Sequence, residues 1–384
     1  MKNLFRKYPF LAHPAFLLAL YVIVFAAVTL HRLLMVDDAF NNFDIFRYSF
    51  FNLITGNDLY ILHPDQYFDL YKYSPTFALT MAPFWWIPKL PGLFIWNFLN
   101  ALLPLYAIQR LKISGYAKAF ISYFILIELI TSVQNSQSNG LMAGLMILSF
   151  VFLEEKKPAL SVLMICLGFY VKLFAALAAL LMLFYDRKPR FILSGALFVI
   201  TLGVLPVAVT GIEGLTMQYK SWLHLLGNDP AHALNYSIMT FAERALHVHL
   251  SDSLYLIGGL ILLSLPLLRQ AHYNSYQWRI TYLATILIWV VIFNHKAESP
   301  TFVIAMAGAA LWYSVAEKNT FRLILILFVF LLTGLSATDL FPPFIRNEII
   351  RPYALKALPC IVLFFVMIAD LWKGKFSPER RLYN

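Results

Sequence analysis

The sequence predicts an all-α polytopic membrane protein, a bundle of about twelve transmembrane helices with further helices lying along one surface. Three observations carry this. Of 384 residues, 60% are hydrophobic and only 13% charged, and the mean hydropathy is +0.70, too apolar for an ordinary soluble globule. The apolar runs are helix-length, unlike the alternating ten-residue segments of an outer-membrane barrel. The 34 Phe, 21 Tyr and 8 Trp suit lipid-facing and interfacial surface.

Runs with few or no charges mark the spans, because a charge at the centre of a span costs about 3 kcal/mol. They cover about 12–31, 91–109, 117–133, 140–153, 158–171, 173–185, 191–211, 254–268, 280–294, 300–316, 323–337 and 353–371. The first follows Lys2, Arg6 and Lys7 and resembles a signal peptide. No clean small-residue cleavage site follows Ala26 and Ala27, so it reads as a retained anchor. The segment Pro75 to Pro88 is apolar but short, and Pro75, Pro83, Pro88 and the pair Trp85-Trp86 lay it along the outer surface.

That placement gathers the basic turns Arg110/Lys112/Lys118, Lys156/Lys157 and Arg187/Lys188/Arg190 on one side with both chain ends. By the positive-inside rule this side is cytoplasmic, in a cytoplasmic (inner) membrane. The net charge of +10 then reads as topology, with no nucleic-acid partner. The chain forms one transmembrane domain, 1–384, with two long outer loops at 32–90 and 212–253. The inner turns are short and basic, so chemistry belongs to the outer side. No repeat of fixed period is visible. Cys166 and Cys360 both lie in apolar runs and exclude a disulfide framework.

The outer segments hold the chemistry-bearing residues. In the first loop Asp44 sits in an amphipathic stretch whose Phe43, Phe46, Phe50 and Phe51 suit the membrane surface. A carboxylate desolvated there can serve as a general base. Asp37, Asp38, Asp58, Asp65 and Asp69 read as solvated loop acids. Six consecutive polar uncharged residues, Gln134 to Asn139, either hydrogen-bond sugar hydroxyls or satisfy helix ends in an ordinary turn. Lys172 has no acid nearby in sequence; it either snorkels outward or meets a lipid-linked phosphate at headgroup level. In the turn 294–300, His295 and Lys296 can bind phosphate or protonate a leaving oxygen, with Glu298 pairing to either. Asn235-Tyr236-Ser237 with Glu243 and Arg244 makes a polar patch, and Glu128 faces the bundle interior.

No Gly-rich phosphate loop, nucleophile elbow or His-x-x-x-His pair occurs, which excludes nucleotide-driven chemistry. His247 and His249 read as surface polar residues, and no metal or other cofactor is expected.

This layout resembles the GT-C superfamily of membrane glycosyltransferases, most closely glycosyltransferase family 87. The residues that carry the resemblance are Asn42-Phe43-Asp44-Ile45-Phe46-Arg47-Tyr48, Gly56-Asn57-Asp58-Leu59-Tyr60, Tyr73-Ser74-Pro75, Gln134 to Asn139, Val171-Lys172-Leu173-Phe174, Asn235-Tyr236-Ser237 and His295-Lys296, in family order. The resemblance implies a GT-C-type bundle with outer juxtamembrane helices in the first loop. It implies an inverting enzyme that moves one sugar, mannose by family, from a polyprenyl-phosphate donor to a hydroxyl of a lipid or glycan acceptor. By that resemblance Asp44 is the base, and Lys172, His295 and Lys296 stabilise the departing phosphate. Arg47, Tyr73, Gln134, Asn135, Gln137, Asn139, Asn235 and Glu298 would contact substrate. Where some relatives carry a second acid this chain has Asn41-Asn42, so no metal-binding Asp-x-Asp is available there, and metal independence is expected. A lipid-linked saccharide transporter or flippase would share the size and the basic groups, and a whole-glycan ligase would carry more outer arginines.

Overall fold

The computed structural model describes residues 2–36, 40–228, 235–374 and 376. Asp37 and Asp38 lie outside the described residues. The described chain is helical, and its only extended pairing is one bridge between Ala316 and Phe376.

A short helix α1 (Lys2–Lys7) precedes α2 (Pro14–Met35), whose start is set by Pro14 and by His13, which accepts from the Ala15 amide. The first long loop then folds as α3 (Asn41–Ile54), α4 (Pro75–Thr80) and α5 (Ala82–Trp86). Helix α4 begins at a Ser74 cap followed by Pro75. At 1.5 Å per residue neither α4 nor α5 exceeds about 10 Å, so neither is long enough to cross a bilayer by itself.

The bundle continues with α6 (Lys89–Arg110), α7 (Gly115–Gln134), α8 (Asn139–Glu154) and α9 (Pro158–Val171). Residues Leu173–Phe184 follow as a 3-10 helix. Helices α10 (Lys188–Val204) and α11 (Val207–Asn228) meet at a bend of 86°. Gly211, at φ +68, breaks α11 near its start, a conformation glycine adopts without penalty. Next come α12 (Ile238–Leu246), α13 (Asp252–Ser264), α14 (Tyr276–Ile292), α15 (Phe302–Val315), α16 (Thr320–Phe328) and α17 (Leu358–Lys373).

The helices α2, α6 and α7 are long and apolar enough to span a membrane, and the bent α10–α11 pair makes a fourth span if taken as one. Shorter apolar helices of 10–17 residues cover most of the other expected spans. The structure therefore has several apolar helices, and a count of about twelve crossings rests on those shorter ones. The second long loop is more ordered than its polarity suggested. Residues 212–228 continue α11, and α12 lies within it.

Helices α14 and α15 form the centre. Every residue of α14 except Arg279 is buried, as is nearly all of α15, the pattern of a helix apolar on nearly all sides. Their close contact needs Gly308, where an added Cβ would sit 2.6 Å from the Ala284 carbonyl. The same device joins α8 to α6: a Cβ on Gly140 would lie 2.2 Å from the Asn100 carbonyl, and one on Gly144 2.9 Å from the Pro104 nitrogen. Gly140 and Gly144 are one turn apart, the small-residue spacing that lets membrane helices touch backbone to backbone. Asn139, which opens α8, is positioned by that contact.

The two ends of the bundle differ. At one end ion pairs link the basic turns: Arg279 with Glu154 at 2.6 Å, Lys157 with Glu155 at 2.7 Å, and Arg322 with Asp370. The expected plain turns are thus cross-braced. At the other end lie the first loop, the Gln134–Asn139 turn, Lys172 and the turn 294–301.

Candidate functional site

Helix α3 packs inward. Phe43, Phe46 and Phe50 are buried, so this face meets α4, α5 and α6 rather than a membrane surface as expected. Phe46 sits edge-on to Tyr73 (5.0 Å between centroids), Phe77 and Trp96. Tyr73 is further held by its carbonyl, which accepts from the Tyr60 hydroxyl at 2.9 Å. The next residue, Ser74, donates to the Tyr170 carbonyl at 2.5 Å and ties the first loop to the end of α9. From there the chain turns through Lys172.

Between the first loop, the Lys172 turn and the turn 294–301 opens a cavity of about 580 Å³. Its polar wall carries Asn42, Asp69, Lys72, Tyr73, Gln137, Lys172, His295, Lys296 and Glu298. Its apolar wall carries Leu173, Phe174, Leu226, Leu256, Trp289 and Phe293. Three of the polar residues form one hydrogen-bonded relay with Asn139. Lys172 Nζ donates to Asn139 Oδ1 at 2.6 Å, Asn139 Nδ2 to Gln137 Oε1 at 2.5 Å, and Gln137 Nε2 to Glu298 Oε2 at 2.8 Å.

Electrostatics follow from this crowding. Burial lowers Lys172 to about 8, against the opposing pull of Glu298. Burial also raises the Tyr73 phenol, and the charges of Glu298 and, less strongly, Asp69 add to the shift. The site is therefore a partly dry concentration of cations and amides beside an apolar wall, suited to an anion that carries a hydrophobic tail. The buried indole nitrogen of Trp289, in that wall, has no partner among the described residues.

The structure brings together Lys172, His295, Lys296, Glu298, Gln137 and Tyr73, with Asn139 joined to them through the relay. Other sequence candidates lie elsewhere. Asp44 does not line the cavity, and its Oδ2 accepts from Lys89 Nζ at 2.7 Å. Arg47 donates to the Phe84 and Trp85 carbonyls and stacks on Trp85, bracing α5. Gln134 and Asn135 use their carbonyls to accept from Arg32 and Asn42. Asn235 is buried against Thr240, while the next amide, Tyr236 N, donates to the Ala297 carbonyl at 2.8 Å and so supports the turn 294–301. Asp58 binds the Tyr60 amide and Ser221 and fastens the first loop to α11.

Sequence reasoning missed Asn42, Lys72 and Trp289 as wall residues and set Asp69 aside as a solvated acid. The spacing Asp69-x-x-Lys72-Tyr73 was the available signal. Among the described residues no three His, Cys, Asp or Glu side chains converge as a metal site.

The sequence profile described as glycosyltransferase family 87 matches residues 71–338, more than two thirds of the chain. The chain belongs to glycosyltransferase family 87. Lys172, His295, Lys296, Glu298, Gln137 and Tyr73 fall within the matched region, and Asp44, Arg47 and Asp69 fall before it. No protein of curated function matches the chain. Membership of family 87 makes this protein a glycosyltransferase, and its apolar helices make it a membrane protein.

Proposed function

We propose that this family 87 enzyme transfers one sugar, mannose in the first instance, from a polyprenyl-phosphate donor to a hydroxyl of a lipid or glycan acceptor, with inversion. The observation that carries the reading is the meeting of Lys172, His295 and Lys296 with an apolar wall in a single cavity. A polyprenyl phosphate has both parts. Its phosphate suits the cations, and its isoprene units suit Leu173, Phe174, Leu256 and Phe293.

The chemistry follows from where charge develops. As the bond from the anomeric carbon to the phosphate oxygen breaks, negative charge grows on the phosphate. Cations already held in a partly dry site stabilise that charge more than water does. The Asn139–Gln137–Glu298 relay keeps Lys172 in place at no cost during the reaction. The resemblance gives the acceptor's proton to Asp44. In this reading the protein sits in a cytoplasmic membrane with both termini inside and the cavity facing out.

A second reading, transport of a lipid-linked saccharide, is favoured by a smaller cavity of about 250 Å³ at the opposite end, lined by Lys156, Asp186, Arg187 and Lys188 among others. Purified protein in liposomes, given undecaprenyl-phosphate mannose, glucose or arabinose with a lipid extract as acceptor, separates the two. Transfer of sugar to the extract supports the enzyme. Movement of labelled donor across the bilayer without transfer overturns it.

A further inference from the structure

At the end of the bundle opposite the candidate site, the turn after α8 and the turn before α10 border the cavity of about 250 Å³. Three cations line it, Lys156 from the first turn and Arg187 and Lys188 from the second, against one carboxylate, Asp186. The basic residues around them are engaged within the protein. Arg110 and Lys157 pair with Glu155, Arg279 pairs with Glu154, and Lys112 donates to the Glu154 carbonyl at 3.0 Å. The side chains of Lys156, Arg187 and Lys188 make neither an ion pair nor a hydrogen bond among the described residues. The cavity therefore keeps a net positive charge that the protein itself does not answer.

Lys156 also occupies an unusual backbone position. The turn closes through its amide to the Leu153 carbonyl at 2.9 Å and through the Lys157 amide to the Phe152 carbonyl at 2.8 Å. Its φ is +59, the left-handed conformation for which a helix end of this kind favours glycine. A cation stands there instead, on the cavity wall. Much of the remaining lining is apolar, with Leu153, Phe184 and Phe191. Shortly beyond Lys188, α10 presents an exposed apolar row, Leu193, Leu197, Ile200 and Val204, spaced along one side of the helix.

We propose that this cavity binds the headgroup of an anionic glycerophospholipid, its phosphate among Lys156, Arg187 and Lys188 and its acyl chains along the apolar row of α10. Basic pockets between membrane helices take such headgroups because the cations and the phosphate complete each other's charge at the edge of the hydrocarbon. Free phosphate would use the cations and leave the apolar lining and the row unused. A zwitterionic lipid brings its own ammonium group, which these cations repel. The bound lipid would bridge the α8–α9 turn to the start of α10. The proposal does not depend on the transfer reading above.

The test titrates the purified chain in neutral detergent with phosphatidylglycerol, phosphatidylcholine or undecaprenyl phosphate and counts bound lipid by native mass spectrometry. A cavity variant, Lys156→Gln/Arg187→Gln/Lys188→Gln, is compared with wild type and with a control of equal charge, Arg6→Gln/Lys7→Gln/Lys373→Gln, whose positions lie outside the cavity lining. All six residues are exposed, so neither variant opens the core, and melting temperatures check this. Wild type and control should bind a first phosphatidylglycerol more tightly than phosphatidylcholine. The cavity variant should bind it about 100-fold more weakly, and a single Lys188→Gln about fivefold, the scale of one cation lost from an anionic lipid surface. Equal affinity in the cavity and control variants, or no preference for phosphatidylglycerol in wild type, overturns the proposal. Loss of undecaprenyl phosphate binding alone in the cavity variant overturns it as well and gives the cavity to the transport reading.

Discussion

Lys172 Nζ lies 2.6 Å from the side-chain oxygen of Asn139, so a cation at the break after α9 is held by the residue that opens α8. Asn139 in turn reaches Glu298 through Gln137. Three segments far apart in sequence thereby share one electrostatic unit, in the proposed function the phosphate-binding side of the site.

The first prediction is a pH dependence. With Lys172 lowered to about 8, its cation is present below that pH and lost above it, so kcat/KM falls as pH rises through about 8. Lys172→Arg, whose charge persists, should move that fall to higher pH. The pH–rate profiles of the two proteins check it.

Glu298 opposes the desolvation of Lys172. Glu298→Gln removes that negative charge, favours the neutral amine, and should move the same descending limb to lower pH. An unchanged limb would show that the two groups do not communicate.

The contact of α8 with α6 leaves no room for a methyl at Gly140, whose Cβ would lie 2.2 Å from the Asn100 carbonyl. Gly140→Ala should cost about 1–3 kcal/mol of stability, as overpacking does. It should also weaken binding of undecaprenyl phosphate, because Asn139 moves with the helix start. Melting temperature in detergent and a fluorescence titration read the two effects.

Lys356 and Glu128 are almost fully buried and 2.8 Å apart, and Lys356 also donates to Ser299 at 2.7 Å, next to Glu298. Removing one partner leaves a buried charge, so Lys356→Met should cost about 3–5 kcal/mol. Adding Glu128→Gln should recover part of it. A double-mutant cycle on thermal unfolding measures the coupling.

Much of this was legible in the sequence, because membrane insertion writes helices as charge-free runs. The helical architecture, the break of the helix around Pro75–Pro88 and the gathering of Lys172, His295, Lys296, Glu298, Gln137 and Tyr73 follow from runs, prolines and out-of-place polar residues. Side-chain direction was not legible. Asp44 and Asn42 are two residues apart on α3, nearly opposite around a helix, and only packing decides which one faces the cavity. Asp69 reads like any loop acid because its left-handed backbone and its place in the cavity wall depend on tertiary contacts. Arg47 and Asn235 are polar in the right segments, yet Arg47 donates to the Phe84 and Trp85 carbonyls and Asn235 accepts from Thr240.

The most direct measurement is the release of undecaprenyl phosphate from undecaprenyl-phosphate sugars by wild type and Lys172→Gln in liposomes supplied with the lipid extract. Wild type should release it, and the variant should lose about 100-fold or more, the scale of removing a preorganised donor at a developing oxyanion. Equal release by the two proteins would contradict the claim that this cavity holds the departing phosphate.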